Sequence, residues 1–376
     1  MSTSSPIRVL HVIGAMDRGG AETLIMNLYR HIDRHAVQFD FLVNEERTCD
    51  YDAEIEELGG RLYRIPRFAL ANYLTYRNAC RKFFRRNVHP IVHGHIGFPA
   101  AIYLQCAKQQ NDAFTIAHSH AQNYPLNPTE AVYRIVSNCV RGKADYYLGC
   151  SELAGIDRFG RNIVEGGNFH VLKNGIDAQA IRFDPNERRR IRSELDIDDD
   201  APVFGHVGRL TPIKNHSFLL DVFRKVLDEL PSARLLLVGR GEAEDEIRQR
   251  VCDLGLSDAV LFLGVRDDVP AVLSAMDVFV FTSFREGLAN ATIEAQASGL
   301  PCLLSTGVPQ LAKISQTTEF ADLSEGTGAW AQKALSLYRS GRPDRSSAYL
   351  DALSAGFDIQ ESADWLSDLY LSNSRR

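Results

Sequence analysis

Short apolar runs rich in β-branched residues recur along the chain. Each is followed by a small-residue or glycine loop and then by a stretch with helical apolar period. In the first half these runs predict strands at Ile7–Ile13, Phe39–Val43, Arg61–Ile65, Ile91–His95, Phe114–His118 and Tyr146–Gly149, with helices between them such as Ala21–Ile32 and Ala100–Gln109. The second half restarts the pattern at Val203–Val207, Arg234–Val238, Val260–Leu263, Val278–Thr282 and Pro301–Leu304. Continuous apolar strands alternating with helices are the βαβ signature of a parallel sheet covered on both faces. At roughly 100–200 residues per domain, 376 residues fit two doubly wound α/β units in tandem better than one. Apolar period is lost over the polar stretch Asp184–Pro202, so the expected domains are 1–183 and 184–357. The tail, 358–376, reads as one amphipathic helix over Ile359–Leu371 with Trp365, Leu366, Leu369 and Tyr370 on one side, after a polar, loose Gly341–Ser347.

Composition narrows the class. With 45% hydrophobic and 24% charged residues the chain buries a sizeable core, which excludes disorder, collagen-like repeats and a coiled coil. A net charge of −6 and a pI near 6.0 argue against a dedicated nucleic-acid binder. The charge is uneven: up to Asp177 there are 20 basic against 18 acidic residues, and 22 against 30 beyond, so an anionic partner would meet the first half. Seven scattered cysteines (Cys49, Cys80, Cys106, Cys139, Cys150, Cys252 and Cys302) without C-x-x-C spacing read as reduced thiols. The N-terminus shows no signal-peptide pattern, and no apolar run approaches the ~20 residues of a membrane span. The expected location is the cytoplasm.

Four constellations carry candidate chemistry. Gly14-Ala-Met-Asp-Arg-Gly19-Gly20-Ala-Glu22 follows the first strand and opens a helix; paired glycines admit close backbone approach and a helix N-terminus offers free N–H groups to an anion, although a plain turn explains a Gly-Gly equally well. His93-Gly-His95 and His118-Ser-His120 each end a strand, and residues two apart share a face. Several imidazoles therefore converge at the carboxyl edge, as ligands to sugar or phosphate, as a metal set, or as histidines satisfied by loop carbonyls. Gly208-Arg209-Leu210 with Lys214 places two cations where they reach a diphosphate, Arg as a fork and Lys as a point charge, against the alternative of solvated surface cations. The segment from Ser283 to Pro301 places Glu286 ahead of a helix spanning Ala289 to Ser298, with Glu294 about two turns inside it. Its small apolar neighbours disfavour a merely solvated face.

Gly19-Gly20-Ala-Glu22, Asn174-Gly-Ile-Asp177, Gly208-Arg-Leu with Lys214, Leu236-Leu-Val-Gly239-Arg-Gly241 and Glu286-x7-Glu294 together resemble the retaining GT-B glycosyltransferases of family 4, in the bacterial capsular and exopolysaccharide group. The resemblance runs from Val9 to about Leu304. It implies two Rossmann-like domains with an interdomain cleft, an N-terminal acceptor domain, a C-terminal nucleotide-sugar domain, and a C-terminal helix crossing back to the N-terminal domain. It implies further that Arg209 and Lys214 neutralise the donor diphosphate, that Glu294 holds the ribose, and that Glu286 takes donor-sugar hydroxyls with Gly287, Leu288, Ala289 and Asn290 on the phosphate side. Gly264, Val265 and Arg266 (loop Gly264–Asp267) would frame the base, Gly19 and Gly20 would approach the phosphates, and His118 would line the acceptor side. Glu286, His118, Arg209 and Lys214 are thus the expected catalytic set. The partners implied are a nucleotide-diphosphate sugar, a UDP-sugar by expectation, and a saccharide or lipid-linked acceptor in capsule, exopolysaccharide or O-antigen synthesis. The reaction implied is hexosyl transfer with retention by front-side attack, and no metal or other cofactor is expected.

Two departures bear on which sugar is used: Ala289 stands where a proline is common, and Val308-Pro-Gln310 where relatives often carry an acid. The run Asp196-Ile-Asp-Asp-Asp200 lacks a preceding apolar strand and reads as solvated helix-end charge, not a D-x-D metal motif. The basic, aromatic stretch Tyr73–Arg86 suits an anionic membrane surface at the inner face of the cell membrane, against an ordinary amphipathic helix burying Phe83 and Phe84. Two other activities share the architecture: a catalytically silent precursor-binding assembly subunit, and a nucleotide-sugar epimerase or hydrolase.

Overall fold

The computed structural model describes residues 5–97, 99–120, 138–341 and 344–374; part of the Gly341–Ser347 stretch lies outside them. The chain divides into two compact units, Met1–Gly175 with Ile359–Arg376, and Ile176–Asp358.

The first unit is built on seven parallel strands: β1 Ile7–Val12, β2 Val37–Val43, β3 Leu62–Arg64, β4 Ile91–Gly94, β5 Phe114–Ser119, β6 Tyr146–Gly149 and β7 Phe169–Val171. Their order is β3-β2-β1-β4-β5-β6-β7, so the direction of winding reverses between β1 and β4. In open α/β sheets ligands bind beyond the carboxyl ends at such a switch point. Its helices include α1 Gly20–His31, α2 Tyr73–Arg86 and α3 Ala100–Asn111. The strands are apolar throughout because both faces are covered. Val9, Phe39, Ile91, Ile116 and Leu148 face one core with α1, while Leu10, Leu42, Val92, Ala117 and Tyr147 face another with α2 and α3.

The second unit carries six parallel strands: β8 Val203–Val207, β9 Arg234–Val238, β10 Val260–Gly264, β11 Val278–Phe281, β12 Cys302–Ser305 and β13 Thr318–Ala321, in the order β10-β9-β8-β11-β12-β13. Its switch point lies between β8 and β11. Three of its helices matter below: α4 Pro185–Glu194, α5 His216–Glu229 and α6 Asn290–Ala297. The final helix, α7 Ile359–Asn373, belongs to the first unit, where Ile359, Ala363, Leu366 and Tyr370 are buried against β2 and α1.

Three local readings differ from the sequence expectation. The join falls at Gly175/Ile176, not after Phe183, because Ile176 and Ile181 enter the second core and the Ile176 N–H donates to the Phe357 carbonyl at 2.8 Å. The stretch after Asp184, expected to mark the join because apolar period is lost there, is α4 of the second unit: Asp184 caps it by accepting from the Asn186 and Glu187 N–H groups, and Pro185 occupies its first turn. Only Ile191 among its residues is a buried apolar group. The helix is held instead by Arg188 and Arg192, whose guanidinium groups donate to the Asp277 carboxylate at 2.7 and 2.8 Å. Finally α6 starts at Asn290, so Glu294 lies just over one turn inside it, not two. The acidic run after α4 is exposed at Asp196 and Asp198–Asp200.

Candidate active site

At the second unit's switch point, β8 ends and the chain turns through Gly208-Arg209-Leu210. This turn lies directly on the Gly239-Arg240-Gly241 loop after β9. Gly208 N–H donates to Val238 O and Leu210 N–H to Arg240 O, both at 2.9 Å. A Cβ on Gly239, whose φ is +128°, would collide with the Gly208 carbonyl, and one on Gly241 with the Leu210 carbonyl. The glycines therefore permit a backbone-to-backbone fit that carries Arg209 outward. The Arg209 guanidinium is exposed and has no partner among the described residues.

Lys214 ends a 3-10 turn, Pro212–Lys214, that leads into α5. Its Nζ donates to Glu286 Oε1 at 2.7 Å and lies 4.8 Å from the centre of the Phe281 ring. Both side chains are shielded, Lys214 being 16% and Glu286 12% exposed. The Ser283 hydroxyl donates to the same carboxylate oxygen. Glu286 is held from behind as well, its N–H donating to Gly307 O at 2.9 Å, while Phe284 N–H donates to Ile213 O at 2.9 Å. Thr282 Oγ1 lies 3.1 Å from the carbonyls of Lys214 and Asn215. The loops after β8 and β11 are thereby sewn together, and two of the three expected catalytic residues of this unit, Lys214 and Glu286, form one ion pair.

Gly287 follows, then buried Leu288 and Ala289, then α6, whose N-cap residue Ala289 offers no side-chain acceptor. The first turn of α6 thus carries the positive end of the helix dipole with no side-chain cap, the Thr292 N–H donating to the Ala289 carbonyl at 2.9 Å. Glu294 is half-buried, and its carboxyl has neither a cation nor a donor among the described residues; burial alone pushes its pKa up to about 7. After β10, Gly264 adopts φ +63° and Val265 is 40% exposed. Arg266 is instead drawn toward acids: it donates to Glu194 Oε1 and Asp268 Oδ1, both at 2.7 Å, so that loop presents backbone and an apolar side chain.

The first unit gathers five imidazoles at its β1/β4 switch point. His11 pairs in register with His93, and the alternation that buries Val9, Ile91 and Ile116 places His11, His93 and His118 on the same sheet face. Two chains of ring nitrogens result. His11 Nδ1 lies 2.9 Å from His95 Nε2, and His95 Nδ1 lies 2.7 Å from His120 Nε2. The Tyr370 hydroxyl lies 2.6 Å from His93 Nδ1, and His93 Nε2 lies 3.2 Å from His118 Nδ1. Burial pushes all five pKa values down, His11 to about 3, His120 to about 4 and the rest well below 6.5, so the rings are neutral. His11 Nε2, His118 Nε2 and His120 Nδ1 are buried without a partner among the described residues.

The trios His11/His93/His95 and His95/His118/His120 hold nitrogens within 4.8 Å of one another, near enough to converge on a metal ion. The closest contacts in each trio are already hydrogen bonds, and none of the five rings is backed by a carboxylate or carbonyl among the described residues. Metal-binding histidines usually have such backing. The residues fit a hydrogen-bonding surface better than a ligand set. Gly19 is the N-cap of α1 and Gly20 its first residue; a Cβ on Gly20 would meet nothing within 4 Å, so packing does not require glycine there.

Three participants escaped the sequence reading. His11 lies inside an apolar run, and His206 and His216 flank the Gly208–Lys214 turn without any motif. His206 Nδ1 donates to Val280 O at 3.1 Å, the two rings lie 4.6 Å apart, and burial pushes His216 down to about 4. The signal available was positional: His11 and His206 stand in strands bordering a switch point, and His216 opens the helix that follows β8.

The family profile described as "Glycosyltransferase Family 4" matches residues 18–180, and that described as "Glycosyl transferases group 1" matches residues 201–340. The chain is 33% identical to the putative glycosyltransferase EpsF of Bacillus subtilis, over 98% of this chain and 97% of that one. It is also 33% identical, over 36% of each chain, to an Escherichia coli UDP-Gal:alpha-D-GlcNAc-diphosphoundecaprenol alpha-1,3-galactosyltransferase. Among solved structures it is similar in fold to Anabaena Alr3699/HepE in complex with UDP, with a TM-score of 0.78 at 18% identity, covering 97% of this chain and all of that one. The two doubly wound units, the paired switch-point sites and the full-length similarity agree: the chain belongs to the family 4 glycosyltransferases of GT-B fold and is a transferase of polysaccharide biosynthesis.

Proposed function

We propose that this transferase moves a hexose, with retention of anomeric configuration, from a UDP-sugar to a saccharide or lipid-linked saccharide acceptor of a surface polysaccharide such as capsule, exopolysaccharide or O-antigen. The observation that carries the reading is the set at the second unit's switch point: the Lys214–Glu286 ion pair, with Arg209 and Glu294 unpartnered among the described residues. Arg209 and Lys214 supply positive charge to the diphosphate as it leaves, and Lys214 has N–H groups beyond the one given to Glu286. Glu294 accepts from the ribose hydroxyls, Glu286 accepts from a donor-sugar hydroxyl, and the N–H groups from Gly287 to Asn290 meet phosphate oxygens. In the first unit Gly19 and Gly20 approach the phosphates and His118 meets the acceptor side. The acceptor oxygen bonds to the anomeric carbon on the face from which the phosphate departs, and its proton passes to a phosphate oxygen. With two cations placed for the leaving group, transfer proceeds in the presence of a chelator. The UDP assignment is supported by the HepE complexes with UDP and UDP-glucose and by the named donor of the Escherichia coli relative.

Thermal-shift screening of nucleoside diphosphates tests the donor, since a ligand at 100 times its Kd stabilises by about 2.7 kcal/mol. A shift with GDP and none with UDP would overturn the uridine assignment. Glu286→Ala should lower transfer by about 10²-fold or more while leaving most UDP affinity. Full activity in that variant would sink its role, and an inverted anomer in the product would sink retention.

The reading includes contact with an anionic membrane face through α2. Tyr76, Cys80, Phe83 and Phe84 of that helix are buried, as in any amphipathic helix, but its first residues Tyr73 and Leu74, and Leu70 just ahead of it, are exposed. Arg81, Lys82, Arg85 and Arg86 line one recess with Asn78. No helix of the described residues is long and apolar enough to cross a membrane. Flotation with anionic and neutral vesicles tests the contact: binding should need anionic lipid and be lost on changing Arg81, Arg85 and Arg86 to Glu.

A further inference from the structure

One of the two imidazole chains has a root. We infer that Tyr370 of the C-terminal helix acts through His93 to fix which ring nitrogen of His118 carries the proton, so that Tyr370 and His93 are positioning residues for the transfer. The inference rests on the acceptor-side role proposed for His118.

Tyr370 Oη is fully buried, and its one polar partner among the described residues is His93 Nδ1 at 2.6 Å. His93 Nε2 meets His118 Nδ1 at 3.2 Å, and His118 Nε2 has no partner among the described residues. A neutral imidazole has one N–H and one acceptor nitrogen, so the chain runs in only two ways. If the phenol donates, His93 accepts at Nδ1 and donates from Nε2, His118 accepts at Nδ1, and its proton sits on Nε2. The single orphan is then the His118 Nε2–H. If the chain is reversed, the phenol O–H and the His118 Nε2 lone pair are both orphaned in a buried place. A buried polar group without a partner is costly, so the direction set by the phenol prevails. His118 consequently presents a donor at the end of β5, suited to a sugar oxygen, where the reversed chain would present an acceptor. The other chain, His11–His95–His120, ends in an unpartnered nitrogen at both ends, and its two directions are equivalent.

Removing the phenol removes the bias. In Tyr370→Phe each direction leaves two orphans, so the tautomers of His93 and His118 approach equal population, while the ring still packs on Phe39. His93→Gln preserves direction, because its amide oxygen accepts from Tyr370 and its NH2 donates to His118 Nδ1; His93→Met does neither.

The test uses the full-length chain labelled with ring-15N histidine. Long-range 1H–15N correlations should report His93 and His118 as Nε2–H tautomers in the wild type, and His118 as a mixture in Tyr370→Phe and His93→Met. The kinetic counterpart is a kcat loss with donor KM within about twofold of wild type: about two- to fivefold in Tyr370→Phe, about tenfold in His93→Met and little in His93→Gln. Thermal melts establish that each variant folds, and His93→Gln keeps the test sharp if Tyr370→Phe packs poorly. An Nδ1–H tautomer of His118 in the wild type, a His118 spectrum unmoved by Tyr370→Phe, or stoichiometric metal on these nitrogens would each overturn the relay. His118→Ala separates the relay from the reading beneath it. If that variant keeps full kcat while Tyr370→Phe still shifts the tautomer, the acceptor-side role falls and Tyr370 loses its tie to the transfer. If it loses activity and the Tyr370→Phe spectrum is unchanged, the relay alone falls.

Discussion

Glu294 and the Lys214–Glu286 pair solve opposite electrostatic problems. Burial raises the Glu294 pKa from 4.5 to about 7 because nothing offsets the loss of water. Between those values the folded chain holds a proton that the unfolded chain has released, so stability is full below 4.5 and declines as pH rises through 7. The decline is at most about 3 kcal/mol for a shift of that size. Glu294→Gln should therefore melt higher than wild type at pH 8, with the gap closing toward pH 4.5, and should lose UDP affinity at every pH. Melting curves across that range with and without UDP check both arms; a gap independent of pH would refute the burial argument. At the ion pair, Lys214→Met leaves the Glu286 carboxylate shielded with only the Ser283 hydroxyl. A charge-assisted hydrogen bond is worth about 1.5–3 kcal/mol, and this is the loss expected for the single variant. Adding Glu286→Gln should restore most of the stability and none of the activity, which a double-mutant cycle by denaturant unfolding measures directly.

Single elements owe their form to partners that lie far away in sequence. Helix α7 buries Ile359, Ala363, Leu366 and Tyr370 in the first unit's core, although 183 residues of the second unit precede it. Ending the chain after Asp358 should then destabilise the first unit selectively, exposing β2 and α1 to limited proteolysis while Ile176–Asp358 stays resistant. Equal resistance of both units would show that α7 is dispensable. The same dependence explains how legible the elements were. β8 and β9 and helix α2 were readable to the residue because their apolar period suffices to specify them. The edge strands β7 and β13 were not, since Phe169-His170-Val171 and Thr318-Glu319-Phe320-Ala321 mix polar residues into short runs that only neighbouring strands complete. Helix α4 was hidden because it docks through Arg188 and Arg192 on the distant Asp277, an attachment that carries no hydrophobic period. At the site, Glu286, Glu294, Arg209 and Lys214 stood in recognisable spacing. The pairing of Lys214 with Glu286, the diversion of Arg266 to Glu194, and His11 are products of the third dimension.

At the scale of the molecule the two units respond to acid in different ways. The first holds His11, His93, His95, His118 and His120 neutral in the fold, whereas the unfolded chain protonates them near 6.5. Below 6.5 the unfolded state binds more protons, so stability falls with falling pH, by about 1.4 kcal/mol per pH unit for each ring that stays neutral. The second unit has two such rings, His206 and His216, and Glu294 works against them, gaining stability as pH drops from 7 to 4.5. Carboxylates held low by ion pairs, such as Asp40 and Asp268 at about 2, begin to cost stability only below their ordinary value of 3.8. The window from pH 6.5 to 4.5 thus separates the histidines from the paired carboxylates, with Glu294 opposing them in the second unit alone. Between pH 7.5 and 5, hydrogen exchange should show protection collapsing first at β1, β4 and β5 while β8 and β11 remain protected, and the melt should separate into two transitions, the first unit leading. Replacing His11 with a ring that cannot titrate, as in His11→Phe, removes one of the five protons and should shift that first transition toward lower pH. If β8 and β11 opened first instead, the neutral histidine network could not be the dominant acid-labile element.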